Sequence, residues 1–466
     1  MISNQLQINN QLQINNQLQI NNQLQINNQL QIKDICVQAQ FIDGTTLYRQ
    51  HNFQLPLDYQ NPQGQQIQVF ARELVDLAKD QQDLPWLVYF QGGPGFPSPR
   101  MSGESGWVKR ALQQYRVLLL DQRGTGNSSV ISHQTLAHLE PQQQADYLSH
   151  FRADNIVRDA EAIREQLGVK QWATIGQSFG GFCTLTYLSL FPQSLLRSYV
   201  TGGIPSIERE ADHVYRATYK RVEDKNRAFF AQFPHAQTLC REIADHLLTN
   251  EVRLPNGQIF TVEQFQLVGI NLGGGEANLP MYFTLENAFV DVAGEKQLSY
   301  SFLNQMQQEQ AYLTNPIYAI LHESIYCQGT ASQWSAHRVR QEYPHFNYKA
   351  GDEFWFTGEM VYPWMFDQLE TLKPLKEAAN LLAEKSDWGS LYAPKQLSEN
   401  SVPMACAVYA DDMYVELDYS RETLAKIPSS KAWITNEYEH NGIRADGERI
   451  LGKLMTMVES IENLPK

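Results

Sequence analysis

Ser178, Asp412 and His440 are the residues whose types and placement could carry chemistry in this chain. Ser178 sits in Gly176-Gln177-Ser178-Phe179-Gly180-Gly181, a G-x-S-x-G pattern. An apolar run, Trp172 to Ile175, precedes it and a helix-like run, Phe182 to Phe191, follows. A strand that turns sharply into a helix presents a serine hydroxyl at the tip of the turn, where it can act as a nucleophile. Gly176 and Gly180 suit the turn because side chains there would collide across it. The Phe179 N–H, at the helix start, can donate to a developing oxyanion. An ordinary glycine-rich strand–helix turn has the same local pattern, so the rest of the chain must discriminate.

A serine nucleophile needs a base, and the base needs an orienting acid. His440 follows a final predicted strand, Lys431 to Thr435, and Asp412 follows the strand before it, Val402 to Tyr409. Asp412 is preferred to its neighbour Asp411 because it stands nine residues beyond Pro403, the reach across such a strand. Serine, acid and histidine thus follow in that chain order, each in a loop after a strand. A second oxyanion donor is expected in Gln91-Gly92-Gly93-Pro94-Gly95, directly after the buried-strand run Leu84 to Phe90; Gly93 is the candidate N–H.

The elements that must position these residues alternate. Strand-like runs at Leu84 to Phe90, Arg116 to Leu120, Trp172 to Ile175 and Ser198 to Thr201 are separated by helical stretches and end in Gly-rich turns. That pattern predicts an α/β protein with a mostly parallel sheet flanked by helices, with ligands at the carboxyl ends of the strands. Residues 41–73 predict an antiparallel opening, with turn signals at Asn61-Pro62 and Gln63-Gly64. Residues 206–395 lose the alternation and read as a helical cap inserted after the sixth strand, dividing the core into 33–205 and 396–466. Residues 5–32 repeat Gln-Leu-Gln-Ile five times, four copies being followed by Asn-Asn. Such uncharged Asn/Gln-rich low complexity predicts a disordered tail over 1–32, without a catalytic role.

Composition narrows the function classes. A net charge of −14 argues against a nucleic-acid binder, whose footprint is basic. No apolar run is long enough to span a bilayer, and no secretory signal opens the chain, so a cytoplasmic location is expected. Cys36, Cys183, Cys240, Cys327 and Cys406 are scattered, without C-x-x-C, and suit a reducing compartment. His322-Glu323-Ser324-Ile325-Tyr326 starts like a zinc H-E-x-x-H, but Tyr326 replaces the second histidine, so no metal is expected. Gly273-Gly274-Gly275 lacks the strand and Lys-Ser/Thr of a nucleotide loop. No cofactor is implied.

Taken together, Gly92-Gly93-Pro94-Gly95, Asp121-Gln122-Arg123-Gly124-Thr125-Gly126-Asn127-Ser128, Gly176 to Gly181, Tyr409-Ala410-Asp411-Asp412 and His440 resemble the proline iminopeptidase (prolyl aminopeptidase) family of α/β-hydrolase serine peptidases. The long insertion, with Leu285-Glu286-Asn287 and Leu321-His322-Glu323, is similar to the larger-cap branch. The similarity covers roughly residues 40–460. One departure is Gln91, where the family usually has His; it lies outside the triad. The resemblance implies release of N-terminal proline from small peptides, with cap glutamates holding the substrate's free amine. Glu286 and Glu323, each among apolar and aromatic residues, are the positions that match that role. The same core would also serve an esterase, an aminopeptidase of different specificity, or a non-catalytic binding protein.

Overall fold

The computed structural model describes residues 37–463. The expected tail, residues 1–32, lies outside the described residues. Eleven strands form among those described, nine of them in one sheet. β1 (Val37–Asp43), β2 (Thr46–Pro56) and β3 (Gln66–Asp76) are an antiparallel opening. β4 (Trp86–Phe90), β5 (Arg116–Asp121), β6 (Trp172–Gln177), β7 (Leu195–Thr201), β10 (Met404–Tyr409) and β11 (Ser430–Thr435) are parallel. The sheet order is β1-β2-β3-β5-β4-β6-β7-β10-β11.

The parallel strands are apolar on both faces because helices cover both. In β4, Val88 and Phe90 enter one core cluster, while Leu87 and Tyr89 enter the other. α1 (Gly106–Ala111) packs on the second face, with Trp107 stacked on Tyr89 at 4.9 Å. α2 (Ala153–Gln166) and α3 (Phe179–Leu190) cover the first face through residues such as Ile156, Val157 and Leu185.

After β7 the chain leaves the sheet and returns only at β10. α4 (Ala211–Gln232), α5 (Asn278–Glu286) and α6 (Ser335–Arg340) are among the helices of this excursion. Two corrections to the sequence reading follow. Seven strands, not six, precede the insertion, because the opening antiparallel region contributes three. The insertion is also not purely helical: β8 (Phe289–Val292) and β9 (Glu295–Leu298) form a hairpin. Its two-residue turn, Ala293-Gly294, has φ of 56° and 91°, a conformation that alanine rarely adopts and that its sequence does not announce. Lys225 and Arg221 of α4 pair with Glu439 and Glu416, tying the insertion to the loops after β11 and β10.

α7 (Gly442–Ala445) and α8 (Gly447–Glu462) close the chain, and α8 buries Ile450, Leu451, Leu454 and Val458 on the second face. Among the described residues no helix is long and apolar enough to cross a membrane.

Candidate active site

The turn between β6 and α3 holds Ser178 at φ 55°, ψ −126°. A non-glycine residue at positive φ is strained, and such strain persists only where the surroundings impose it. They do so here by crowding. A Cβ on Gly176 would lie 2.3 Å from the Gly180 carbonyl oxygen, and one on Gly180 would lie 1.9 Å from the Phe90 carbonyl oxygen. The Ser178 N–H donates to the Thr201 carbonyl at 3.0 Å, and the Ser178 carbonyl accepts from Gly181 at 2.7 Å. Strand, turn and helix thereby fix the serine at the carboxyl edge of the sheet.

His440 and Asp412 arrive from the loops after β11 and β10. His440 Nδ1 and Asp412 Oδ2 are 2.7 Å apart. The other carboxylate oxygen of Asp412 accepts the backbone N–H groups of Tyr414 (2.8 Å) and Val415 (3.1 Å). Asp412 is 1% exposed, whereas Asp411 points to solvent. Burial opposes a charge on the His440 ring, but the adjoining Asp412 carboxylate outweighs it and holds the imidazole pKa above the usual histidine value. With Nδ1–H given to Asp412, Nε2 is left as the acceptor. Gln177 Nε2 lies 3.5 Å from it, and the Tyr414 ring packs on the imidazole at 4.5 Å.

Ser178, His440 and Gly93 line one cavity of about 670 Å³ between the sheet edge and the insertion. The Gln91–Gly95 loop presses on the serine: a Cβ on Gly92 would sit 2.9 Å from Ser178 Cβ. Gln91 is engaged at both ends, its side-chain oxygen accepting from Tyr89 Oη (2.7 Å) and its carbonyl from Gln122 Nε2 (3.0 Å). The Phe179 N–H is the first of α3 and has no carbonyl partner within the helix. A hydroxyl at a helix start, a histidine oriented by a buried carboxylate and nearby backbone donors form an arrangement suited to acyl transfer.

The two glutamates expected at the substrate amine, Glu286 and Glu323, lie away from the cavity that Ser178 and His440 line. Glu286 is exposed at the end of α5, one turn from Tyr282, whose hydroxyl it holds above its ordinary pKa. Glu323 is buried, as its apolar neighbours in sequence suggest, but its carboxylate caps α6. It accepts the N–H groups of Ser335 (3.0 Å) and Ala336 (2.9 Å). Neither lines the cavity.

Two other carboxylates do, Glu359 and Glu309. Glu359 accepts Tyr318 Oη at 2.5 Å and lies 3.8 Å from His322. Burial pushes Glu359 up to about 7, against the Tyr318 hydrogen bond and the nearby His440. Burial also lowers His322 to about 4, so that ring is neutral near pH 7 and no ion pair holds Glu359. Glu309 is held by Asn271 (2.7 Å) and Gln305 (2.6 Å). Sequence reasoning missed both. The signal for Glu359 was the same one used for Glu323: a lone acid in an aromatic run, Phe354 to Tyr362.

The family described as alpha/beta hydrolase fold matches residues 85–344. A curated proline iminopeptidase of Aeromonas sobria is 60% identical over 409 residues, covering 87% of this chain and 95% of its own length. A curated proline iminopeptidase of Aspergillus aculeatus is 34% identical over 417 residues, covering 87% and 92%. Among solved structures, a proline iminopeptidase of Mycobacterium smegmatis matches at 13% identity and a TM-score of 0.43, covering 88% of this chain and 98% of that one.

Proposed function

The chain belongs to the proline iminopeptidase family of α/β hydrolases, and from that premise we propose that it releases N-terminal proline from peptides through Ser178, His440 and Asp412. Ser178 Oγ attacks the prolyl carbonyl. His440 Nε2 takes the serine proton and returns it to the departing amine. Asp412 fixes the tautomer that leaves Nε2 free and stabilises the imidazolium. The N–H groups of Gly93 and Phe179 hold the oxyanion. Water then hydrolyses the prolyl-enzyme, with His440 again as base.

The single observation that carries this reading is the 2.7 Å contact of His440 with a buried, doubly hydrogen-bonded Asp412, in a cavity that also holds Ser178. An exopeptidase must also measure the distance to the chain end. Glu359, with Glu309 in support, is proposed as the acceptor of the substrate ammonium, in place of Glu286 and Glu323. A carboxylate without a cation partner in a sheltered cavity makes a strong charge-assisted bond to an ammonium. The proposed setting is the cytoplasm, and the substrates are small peptides.

A fluorophosphonate probe tests the nucleophile. Peptide mapping of the labelled protein is expected to place the adduct on Ser178, with none on the Ser178→Ala variant and no prolyl-naphthylamide turnover by it. An adduct elsewhere, or turnover by the variant, would refute the assignment.

A further inference from the structure

Arg444 is not used by the acyl-transfer reading. It lies on α7, four residues beyond His440, and is exposed to solvent. It lines both the main cavity and a second, adjoining one of about 480 Å³; the two share Asn271, Tyr414, His440 and Arg444. Among the described residues no hydrogen bond or ion pair engages its guanidinium, although most arginines of this acidic chain are paired. The nearby acid Glu439 is already taken by Lys225. In the main cavity the Arg444 guanidinium shares the lining with His440, Tyr89 and Tyr414.

The cavity lining is therefore polarised. Glu359, within the insertion and hydrogen-bonded to Tyr318, lines the main cavity only, whereas Arg444, exposed on α7, lines both cavities. His440, which lines both cavities together with Arg444, must protonate the leaving amine in the proposed mechanism, so the leaving peptide departs on the His440 side. In a prolyl dipeptide the terminal carboxylate is only two bonds from that amine. A free arginine fork is the side chain best shaped to take a carboxylate through two parallel hydrogen bonds.

We infer that Arg444 binds the C-terminal carboxylate of short leaving peptides, making free prolyl dipeptides, zwitterions with both ends read, the preferred substrate class. The inference rests on the exopeptidase reading above. Longer peptides carry their carboxylate past Arg444 and gain nothing from it. The cavity suits this class, since pockets of about 300–1,000 Å³ enclose small ligands rather than extended chains.

The test compares kcat/KM for Pro-Ala, Pro-Ala-amide and prolyl-naphthylamide in the wild-type protein, Arg444→Met and Arg444→Lys. Pro-Ala is expected to exceed its amide by about tenfold in the wild type, as one partly exposed charge-assisted pair allows. The ratio falls toward unity in Arg444→Met, stays intermediate in Arg444→Lys, and shrinks in high salt. A wild-type ratio near unity, or a ratio unchanged in Arg444→Met, overturns the carboxylate role. The wild-type ratio and the lysine variant keep the test decisive if Arg444→Met fails to fold. Absence of prolyl-naphthylamide cleavage by the wild type would remove the exopeptidase reading and this inference together; cleavage with no amide discrimination removes this inference alone.

Discussion

Asp412 and Asp411 are adjacent carboxylates with opposite surroundings: one buried and bonded to His440 and two backbone N–H groups, the other in solvent. Asp412→Asn would present an amide to Nδ1 and favour the wrong tautomer, so kcat should fall by about 10⁴, while Asp411→Asn stays near wild type. Steady-state assays of the two purified variants check this, and the reverse ranking would reassign the acid. Glu359 makes a second prediction. Below about pH 7 its carboxyl is neutral and offers no charge to an ammonium. In the proposed mechanism His440, held above the usual histidine value, must also lose its proton to act as base. Both groups therefore need deprotonation in the free enzyme, and log kcat/KM should rise with pH with a slope approaching about two, falling to about one in Glu359→Gln. Equal slopes in the two proteins would contradict the amine role. Ser178, Asp412 and His440 were legible because each stands in a short loop after a recognisable strand. Glu359 was not, because an acid among apolar residues announces burial but not the direction in which the side chain points.

At the scale of elements, Glu323 shows what such burial can mean instead. Its two backbone donors belong to the start of α6, an end that the chain enters through Trp334 at positive φ. Glu323→Ala leaves both N–H groups buried and unpaired, at about 1–3 kcal/mol each. The midpoint of urea unfolding should drop accordingly. Unchanged unfolding with a large loss of kcat/KM for prolyl-naphthylamide would instead return Glu323 to the substrate. The parallel strands β4 to β7 could be read directly, because burial on both faces writes continuous apolar runs such as Trp86–Phe90. The hairpin β8–β9 could not: its strands are short, largely exposed and mixed in composition, and its turn places alanine where asparagine or glycine is usual.

At the scale of the molecule, the site exists only if the insertion is held over the sheet. Ser178 and His440 come from the sheet edge, while Glu359, Tyr318 and Glu309 come from the excursion between β7 and β10. Arg152, at the start of α2, bridges the two. Its guanidinium donates to the carbonyls of Ser324 (3.1 Å), Cys327 (2.7 Å) and Gly389 (2.7 Å) and lies 4.5 Å from the Trp388 ring. Arg152→Met keeps much of the packing but strands those carbonyls, and should destabilise the protein by on the order of 3 kcal/mol. Calorimetry checks it, and an unchanged Tm would show that the bridge contributes nothing. This connection was invisible in the sequence, because an arginine's partners are backbone carbonyls far along the chain.

The central claim is that a serine nucleophile and an amine-reading carboxylate act together on the N-terminal residue. The most direct measurement is kcat/KM for prolyl-naphthylamide against N-acetyl-prolyl-naphthylamide near pH 7.5, where the Glu359 carboxyl is largely ionised. The acetyl group removes the charge and the N–H donors while leaving the scissile bond alone, so Glu359 would be desolvated without a partner. The expected result is cleavage of the free amine with a preference of about 10²-fold or more over the acetylated substrate. Comparable turnover of the two would contradict the account, leaving a serine hydrolase that does not read the chain end.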